Sequence, residues 1–320
     1  MMNVSHEAQL KMLVTTHCGL YFDEMAVAHA QKMATAEPYA SAFAFLNRPF
    51  SSMDALSLSM FRAFRWRFLA DEEAGNTLWL SLQNGHLFTQ QKPDLHLHQH
   101  ARHALASAQL LEMARNHPLF SPDVLHAWQA QIAPYLNAPT DGLVDHAWQC
   151  VLALASAVVM EDQQQYEHAL NQLKQIIETE LHPEGFIPSL VQNSKGGALI
   201  RQVLVAQALV LGAQIATTVG DDMWQYEVRG VSVKTPAIYA VAYYEYPASW
   251  KWDTPPNVEE VEAFYAERFG FFEMLNRTMR QSVMQPTLKK IRPIFDPYGG
   301  GLTTLTHATV SAERQGWFRR

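Results

Sequence analysis

Cysteine is nearly missing from this chain, and so are runs of like charge and long apolar stretches. Only Cys18 and Cys150 occur. They are too far apart for a CxxC pair and too few for a disulfide framework, so two reduced thiols in a cytosolic compartment are expected. Cys18 stands beside a histidine in "TTHCGLYF". With no base motif next to it, it reads as a half-buried structural residue and not as a nucleophile. No Lys/Arg-rich run exists and the formal net charge is −7, which speaks against a nucleic-acid partner, since such binders carry a basic stripe. The longest apolar run, "VLALASAVVM", is about half of what a bilayer-spanning helix needs, so no membrane partner is expected. The start, "MMNVSHEAQLKMLVTTHCGL", has neither the basic opening nor the apolar core of a secretory signal, and a cytoplasmic address is expected. An HExxH motif, a P-loop order around "SKGG" and a clean repeat period are all missing, so neither a cofactor nor a solenoid is expected.

What is present is apolar residue at helical spacing. Over 320 residues, hydrophobic side chains make up 48% and charged ones 17%, enough for one folded domain over 1–320 with a sizeable core. The periodicity predicts helices in "HEAQLKMLVTTHCGLYFDEMAVAHAQKMAT", "SMDALSLSMFRAFRWRFLADEEAG" (capped by Ser52 or Asp54), "HARHALASAQLLEMARNHP", "SPDVLHAWQAQIAPYL", "DHAWQCVLALASAVVM", "DQQQYEHALNQLKQIIETEL", "ALIRQVLVAQALVLGAQIATTVG" and "NVEEVEAFYAERFGFFEMLNRTMRQSVM". Short β-like patches fall at "NTLWLSL", "VRGVSVK" and "GGGLTTLTHATVSAE", without any strand–helix alternation. The expected class is therefore all-α with little β. Helices that are apolar over most of their circumference must be covered on both sides, which points to antiparallel pairs layered into a ring or superhelix. The loop "YPASWKWDTPPNVEE" is the candidate lid or hinge.

Three stretches could carry chemistry. "DLHLHQHARH" holds His96, His98, His100 and His103. A strand would put the first three on one face, as some metal sites need. With Asp94 as a helix cap, the run reads instead as a polar helix face, and no metal is expected. "DGLVDHAWQC" sets His146 behind Asp145 at the start of an apolar helix, where the helix N-terminus disfavours an imidazolium. "HPEGFIPSLVQNSKGGAL" is a Gly/Pro-broken loop leading into a long helix.

Together, "DHAW", "QYEHAL", "GFIP", a polar loop, "AL" and a long helix ending near "VGDDMWQY" resemble the alginate lyase domain, which cleaves poly-mannuronate. "RPIFDPYGGGLTTLTH" resembles the family's late Arg-Pro … Gly-Gly … Thr stretch, and "YFDEMAVAHAQKMATAEPYA" its first helix. The likeness is a set of scattered short motifs over residues 120–307. It implies an incomplete (α/α) toroid and cleavage by β-elimination of an acidic oligosaccharide or polysaccharide. In that reaction a neutralised uronate carboxylate makes the carbanion-like transition state accessible.

The resemblance carries these roles onto particular positions. His146 matches the family histidine, and Asp145 stands where the family has asparagine, a departure that sets a carboxylate against a carboxylate. Arg201 falls at or beside the family tyrosine and Gln202 replaces its histidine neighbour. Lys195 is the nearest cation to the loop arginine, and Arg292 matches the late arginine. His146, Arg201 and Asp145 are thus the expected catalytic group, with Lys195, Gln202, Arg292 and Trp148 expected to bind substrate. Trp224, Trp250 and Trp252 are further stacking candidates, and Tyr239, Tyr243, Tyr244 or Tyr298 could supply the missing phenol. Two alternatives stand beside the lyase: a non-catalytic carbohydrate binder that has lost the tyrosine, and a helical glycosidase pairing Asp145 with Asp221 or Asp222. The sequence sets no oligomeric state.

Overall fold

The computed structural model describes residues 13, 15, 17–49, 53–85, 87–88, 95–192, 194–279 and 284–309. Its helices are α1 (Glu24–Lys32), α2 (Tyr39–Leu46), α3 (Ala55–Leu69), α4 (Glu72–Gln83), α5 (Leu97–Ala114), α6 (Asp123–Leu136), α7 (Leu143–Val159) and α8 (Gln163–Glu180). They continue as the one-turn α9 (Pro188–Val191), then α10 (Ala198–Thr218), α11 (Lys234–Glu245), α12 (Val258–Ala266), α13 (Gly270–Thr278), α14 (Gln285–Ile291) and α15 (Thr303–His307). Side-chain caps start several of them. Asp54 accepts the Leu56 and Ser57 N–H groups ahead of α3, Asp71 that of Ala74 ahead of α4, and Asp162 that of Gln165 ahead of α8. Each satisfies donors that the first helical turn leaves open.

The fold is an incomplete (α/α) toroid. An inner ring runs α3–α5–α7–α10–α13–α15, each helix touching the next, and α1 and α2 join α15 back to α3. An outer layer covers it, with α4 on α3, α6 on α5, α8 on α7, α11 on α10 and α12 on α11. Inner helices are wrapped on all sides, and α10 is buried almost continuously from Ala198 to Ala216. By length and composition alone α10 could cross a bilayer, but its most apolar window is 89% buried inside the protein, as in a core helix. The buried apolar residues from Cys18 to Ala308 form one continuous cluster, and removing this surface from water is the main stabilising term.

Several local expectations give way. The strand-like "NTLWLSL" is part of α4, because the Asp71 cap and Glu72–Glu73 start a helix that puts Leu78, Trp79 and Leu82 on its buried face. The first expected helix is shorter, and residues 6–12, 14 and 16 of it lie outside the described residues. From 17 to 23 the chain is non-helical and fully packed: Cys18, Leu20, Tyr21 and Phe22 are buried, and the Leu20 N–H goes to the Gln109 side chain at 2.5 Å. Of the β-like tail only β2 (Gly301–Leu302) is strand, paired antiparallel with β1 (Phe295–Asp296) just upstream; Thr303–His307 turns helical as α15, and residues 310–313 of the tail lie outside the described residues. The 246–257 segment is fastened and is not a free lid. Asp253 takes the Ser194 hydroxyl at 2.6 Å, the Ala198 N–H at 3.0 Å and the Trp250 indole N–H.

Candidate active site

A cavity of about 230 Å³ opens between the first turns of α5, α6, Leu204 of α10, the α12–α13 junction and Tyr298. The side chains that give it chemistry are His98, His100, Arg102, His103, Arg268 and Tyr298. The four-histidine stretch therefore does more than present a polar helix face: three of its histidines wall this cavity. Asp94, the cap expected there, lies outside the described residues. Helix α5 starts after His96, whose backbone N–H is taken by the Gln99 side chain at 3.0 Å.

His98 sits in the first turn of α5, where its backbone N–H has no helical partner. Asp145 Oδ1, from the first turn of α7, accepts that N–H at 3.1 Å and meets His98 Nδ1 at 3.2 Å. A carboxylate facing Nδ1 assigns the proton there and leaves Nε2 with its lone pair. Burial pushes the His98 pKa down, against the opposing pull of Asp145, so the neutral ring is favoured. His100 lies flat on Tyr135 with centroids 4.6 Å apart, and His103 approaches the Leu87 carbonyl at 3.1 Å. Burial lowers both pKa values as well.

Two guanidinium groups also line the cavity, Arg102 from α5 and Arg268 from the α12–α13 junction. Arg102 lies over the Tyr298 ring at 4.9 Å, donates to the Glu267 carbonyl, and reaches Asp296 Oδ1 at 3.5 Å. Arg268 stacks on Phe264 at 3.8 Å. Its pKa is pushed down to about 10, by burial first and the Arg102 cation second. Neither Nε has a hydrogen-bond partner. The Asp296 carboxyl beneath them is 1% exposed and held by the Gly270 N–H, and burial pushes its pKa up. Tyr298 is raised to about 12 by burial and then by the Asp54 charge, so its phenol keeps its proton. A neutral base, a protonated phenol and two crowded cations thus share one cavity, which suits removal of a proton next to an anionic group.

Of the residues expected from sequence, two reach this assembly: Asp145, as the partner of His98, and Tyr298, one of the four candidate phenols. His146, one position on, lies along α7, with its ring nitrogens 3.8–3.9 Å from Cys150 Sγ, which in turn reaches Gln172 of α8. The substrate-binding roles expected for Trp148, Gln202 and Arg292 are corrected. Trp148 is fully buried and its indole donates to the Leu204 carbonyl at 3.0 Å, locking α7 to α10. Gln202 is fully buried and fastens the 185–187 turn, accepting from Ile187 N at 2.9 Å and donating to the Gly185 carbonyl at 3.0 Å. Arg292 is held bidentately by buried Glu273 at 2.6 and 2.8 Å. Arg201 binds Ser194 Oγ at 2.9 Å and the Gly196 carbonyl at 3.0 Å, and so braces the loop in which Lys195 is exposed. Trp224 and Trp250 are buried, and Trp252 donates to Tyr239 at 2.7 Å. Asp221 holds the Tyr166 hydroxyl at 2.9 Å and Asp222 lines a different cavity, so neither pairs with Asp145. Among the described residues no group of three or more His, Cys, Asp or Glu gathers as a metal site.

The alginate lyase family model matches residues 87–250, about half of the chain. The chain belongs to the alginate lyase family. A variant of alginate lyase A1-III complexed with a tetrasaccharide superposes with a TM-score of 0.77 at 15% identity, over 96% of this chain and 100% of that one. The A1-III enzyme from Sphingomonas species A1 gives 0.73 at 14%, over 96% and 100%. An alginate lyase from Bacteroides ovatus gives 0.65 at 10%, over 92% and 100%. No curated protein matches. The structural likeness fixes the toroid, while the segment matched to the alginate lyase family ends before Arg268, Asp296 and Tyr298.

Proposed function

We propose that this alginate lyase family member takes a uronate-bearing oligosaccharide or polysaccharide into the α5–α13 cavity and cleaves it by β-elimination. Arg102 and Arg268 neutralise the uronate carboxylate, which relieves their mutual repulsion and acidifies the adjacent C5–H. His98 Nε2 takes the C5 proton, with Asp145 stabilising the imidazolium that forms. The C4–O4 bond breaks, its electron pair leaves with the oxygen, and the C4=C5 double bond forms. The Tyr298 phenol donates the proton that the leaving oxygen needs. The observation that carries this reading is the carboxylate-oriented neutral imidazole sharing one cavity with two guanidinium groups inside an alginate lyase fold.

Ultraviolet absorbance of the unsaturated uronate product tests it, with poly-mannuronate, poly-guluronate and their oligomers as substrates. Absorbance should rise, His98→Ala should lower the rate by about 10²–10⁴-fold, and His146→Ala should leave it near the wild-type rate. A flat trace across the panel would sink the lyase reading. Activity lost in His146→Ala but kept in His98→Ala would move the base to the other face of α7.

A further inference from the structure

β1 runs into its turn as Asp-Pro-Tyr-Gly-Gly-Gly, and the aspartate, Asp296, is buried beneath the α5–α13 cavity without lining it. Two glycines make room for its carboxyl. A Cβ at Gly299 would overlap Asp296 Oδ2, and one at Gly270 would come within 3.0 Å of the same oxygen. Gly270 opens α13, where its N–H has no helical partner. Asp296 Oδ2 accepts that N–H at 3.2 Å, and Oδ1 accepts the Tyr298 N–H at 3.2 Å. Arg102 Nη2 stands 3.5 Å from Oδ1, and the Arg268 charge acts on the same carboxyl.

All four of these neighbours are donors or cations. A carboxylate only accepts, so its ionised form satisfies them, whereas a protonated acid needs an acceptor that none of the four supplies. Burial raises the Asp296 pKa, and Arg102 first, then the Gly270 N–H and Arg268, oppose it. At 3.5 Å the Arg102 contact is one of charge and not a saturated hydrogen bond. Arg102 Nη2 donates to the Glu267 carbonyl instead, and the Nε groups of Arg102 and Arg268 have no partner. Asp296 therefore offsets part of the charge on both guanidinium groups and leaves donors on each of them open.

We propose that Asp296 is an internal carboxylate that competes with a uronate carboxylate for Arg102 and Arg268, and so sets how tightly the cavity holds its ligand. The ligand rests on the lyase reading, while the competition itself needs no turnover. Asp296 is a positioning residue: it acts through the two arginines and does not touch the sugar. A uronate entering beside them meets cations that are already partly neutralised, and its affinity is lower for it. The unsaturated product carries the same carboxylate, so the same competition loosens the product.

Asp296→Asn keeps the shape and one acceptor but removes the charge. Calorimetric titration of both proteins with mannuronate and guluronate tests the proposal, with mannose as the uncharged control. These monosaccharides have no 4-linked leaving group, so they bind without being cleaved. The variant should bind the uronates about tenfold more tightly, leave mannose unchanged, and lower KM for a uronate polymer. Damage to the fold only weakens binding, so a gain is a readout that a structural role does not give. Equal or weaker uronate binding in the folded variant overturns the proposal, as does an equal gain for mannose. Silence from both uronates with both proteins overturns it too. If near-UV circular dichroism shows Asp296→Asn unfolded, Arg102→Gln is compared with Arg102→Gln plus Asp296→Asn, which removes both partners together. The double variant should bind the uronates several-fold more tightly than the single one, and parity overturns the proposal. Tighter binding in the variant beside a flat ultraviolet trace would sink the lyase reading and leave this one standing.

Discussion

Asp145 and His146 are neighbours in sequence that point in different directions from α7, about a quarter turn apart. The aspartate orients His98, and the histidine lies against Cys150 on its own helix. The two Asp145 effects on His98 differ in sign from burial, which makes them separable. Asp145 raises the His98 pKa and burial lowers it. Asp145→Asn therefore lets burial act alone, and the acid limb of the activity profile should move to lower pH. The same substitution puts an amide, which donates as well as accepts, where a carboxylate that only accepts fixes the tautomer, so the plateau rate should fall on the order of 10²-fold or more. An NMR titration of the His98 ring beside the pH–rate profile checks both. An acid limb that moves upward would remove Asp145 from this role. At this scale the sequence was least legible. His98, Arg102, Arg268 and Tyr298 form no local motif, because the base, the cations and the phenol come from α5, the α12–α13 junction and the turn after β1. The polar positions matched to the family, such as Gln202 and Arg292, proved to be buried fasteners. A hydrogen-bonding residue reads the same in sequence whether it faces a ligand or a backbone turn.

Elements were far more legible than sites. The 3.6-residue period and the Asp54, Asp162 and Gly142 boundaries mark α3, α8 and α7 because capping and amphipathicity are local. α4 was misread since Thr77, Leu78, Trp79 and Leu80 favour strands by composition, while a cap six residues upstream decides the outcome. α10 shows what an all-round apolar helix needs: polar residues within it must find partners inside the protein. Gln202 does so with the 185–187 turn. Gln202→Leu keeps the helix and the volume but strands the Ile187 N–H and the Gly185 carbonyl. Unfolding free energy from denaturant titration should fall by about 3 kcal/mol. Arg292→Ala should cost more, about 3–5 kcal/mol, because it leaves Glu273, at 0% exposure, as an unpaired buried charge. Equal, small losses in both variants would show that these contacts are not maintained in solution.

At the scale of the molecule, the ring closes over groups that must stay uncharged. His307 is 1% exposed, bonded to the Thr306 hydroxyl at 2.7 Å and repelled by Arg277. Burial first, and Arg277 second, hold its pKa down to about 3. A depressed histidine contributes stability that is present above its ordinary pKa and is lost as pH falls toward the folded value. Between about pH 6.5 and 3, stability should therefore drop by up to ~1.4 kcal/mol per pH unit for this group alone. Urea midpoints measured across that window should show the slope, and His307→Asn should flatten it. An unchanged slope in the variant would assign the acid sensitivity elsewhere. The thiols report the same closure. Cys18 and Cys150 are buried and raised to about 12 by desolvation, so a thiol reagent should find neither in the native protein and both after unfolding. The first cavity draws its imidazoles from α5 and its second guanidinium and phenol from beyond residue 266, across the seam that α15, α1 and α2 close. A fragment cut to residues 87–250, the part that declares the family, would keep His98, Asp145 and Arg102 but lose the opposite wall. Ancestry and chemistry are written on different stretches of this chain, and a gene trimmed to the first would inherit the surname without the trade.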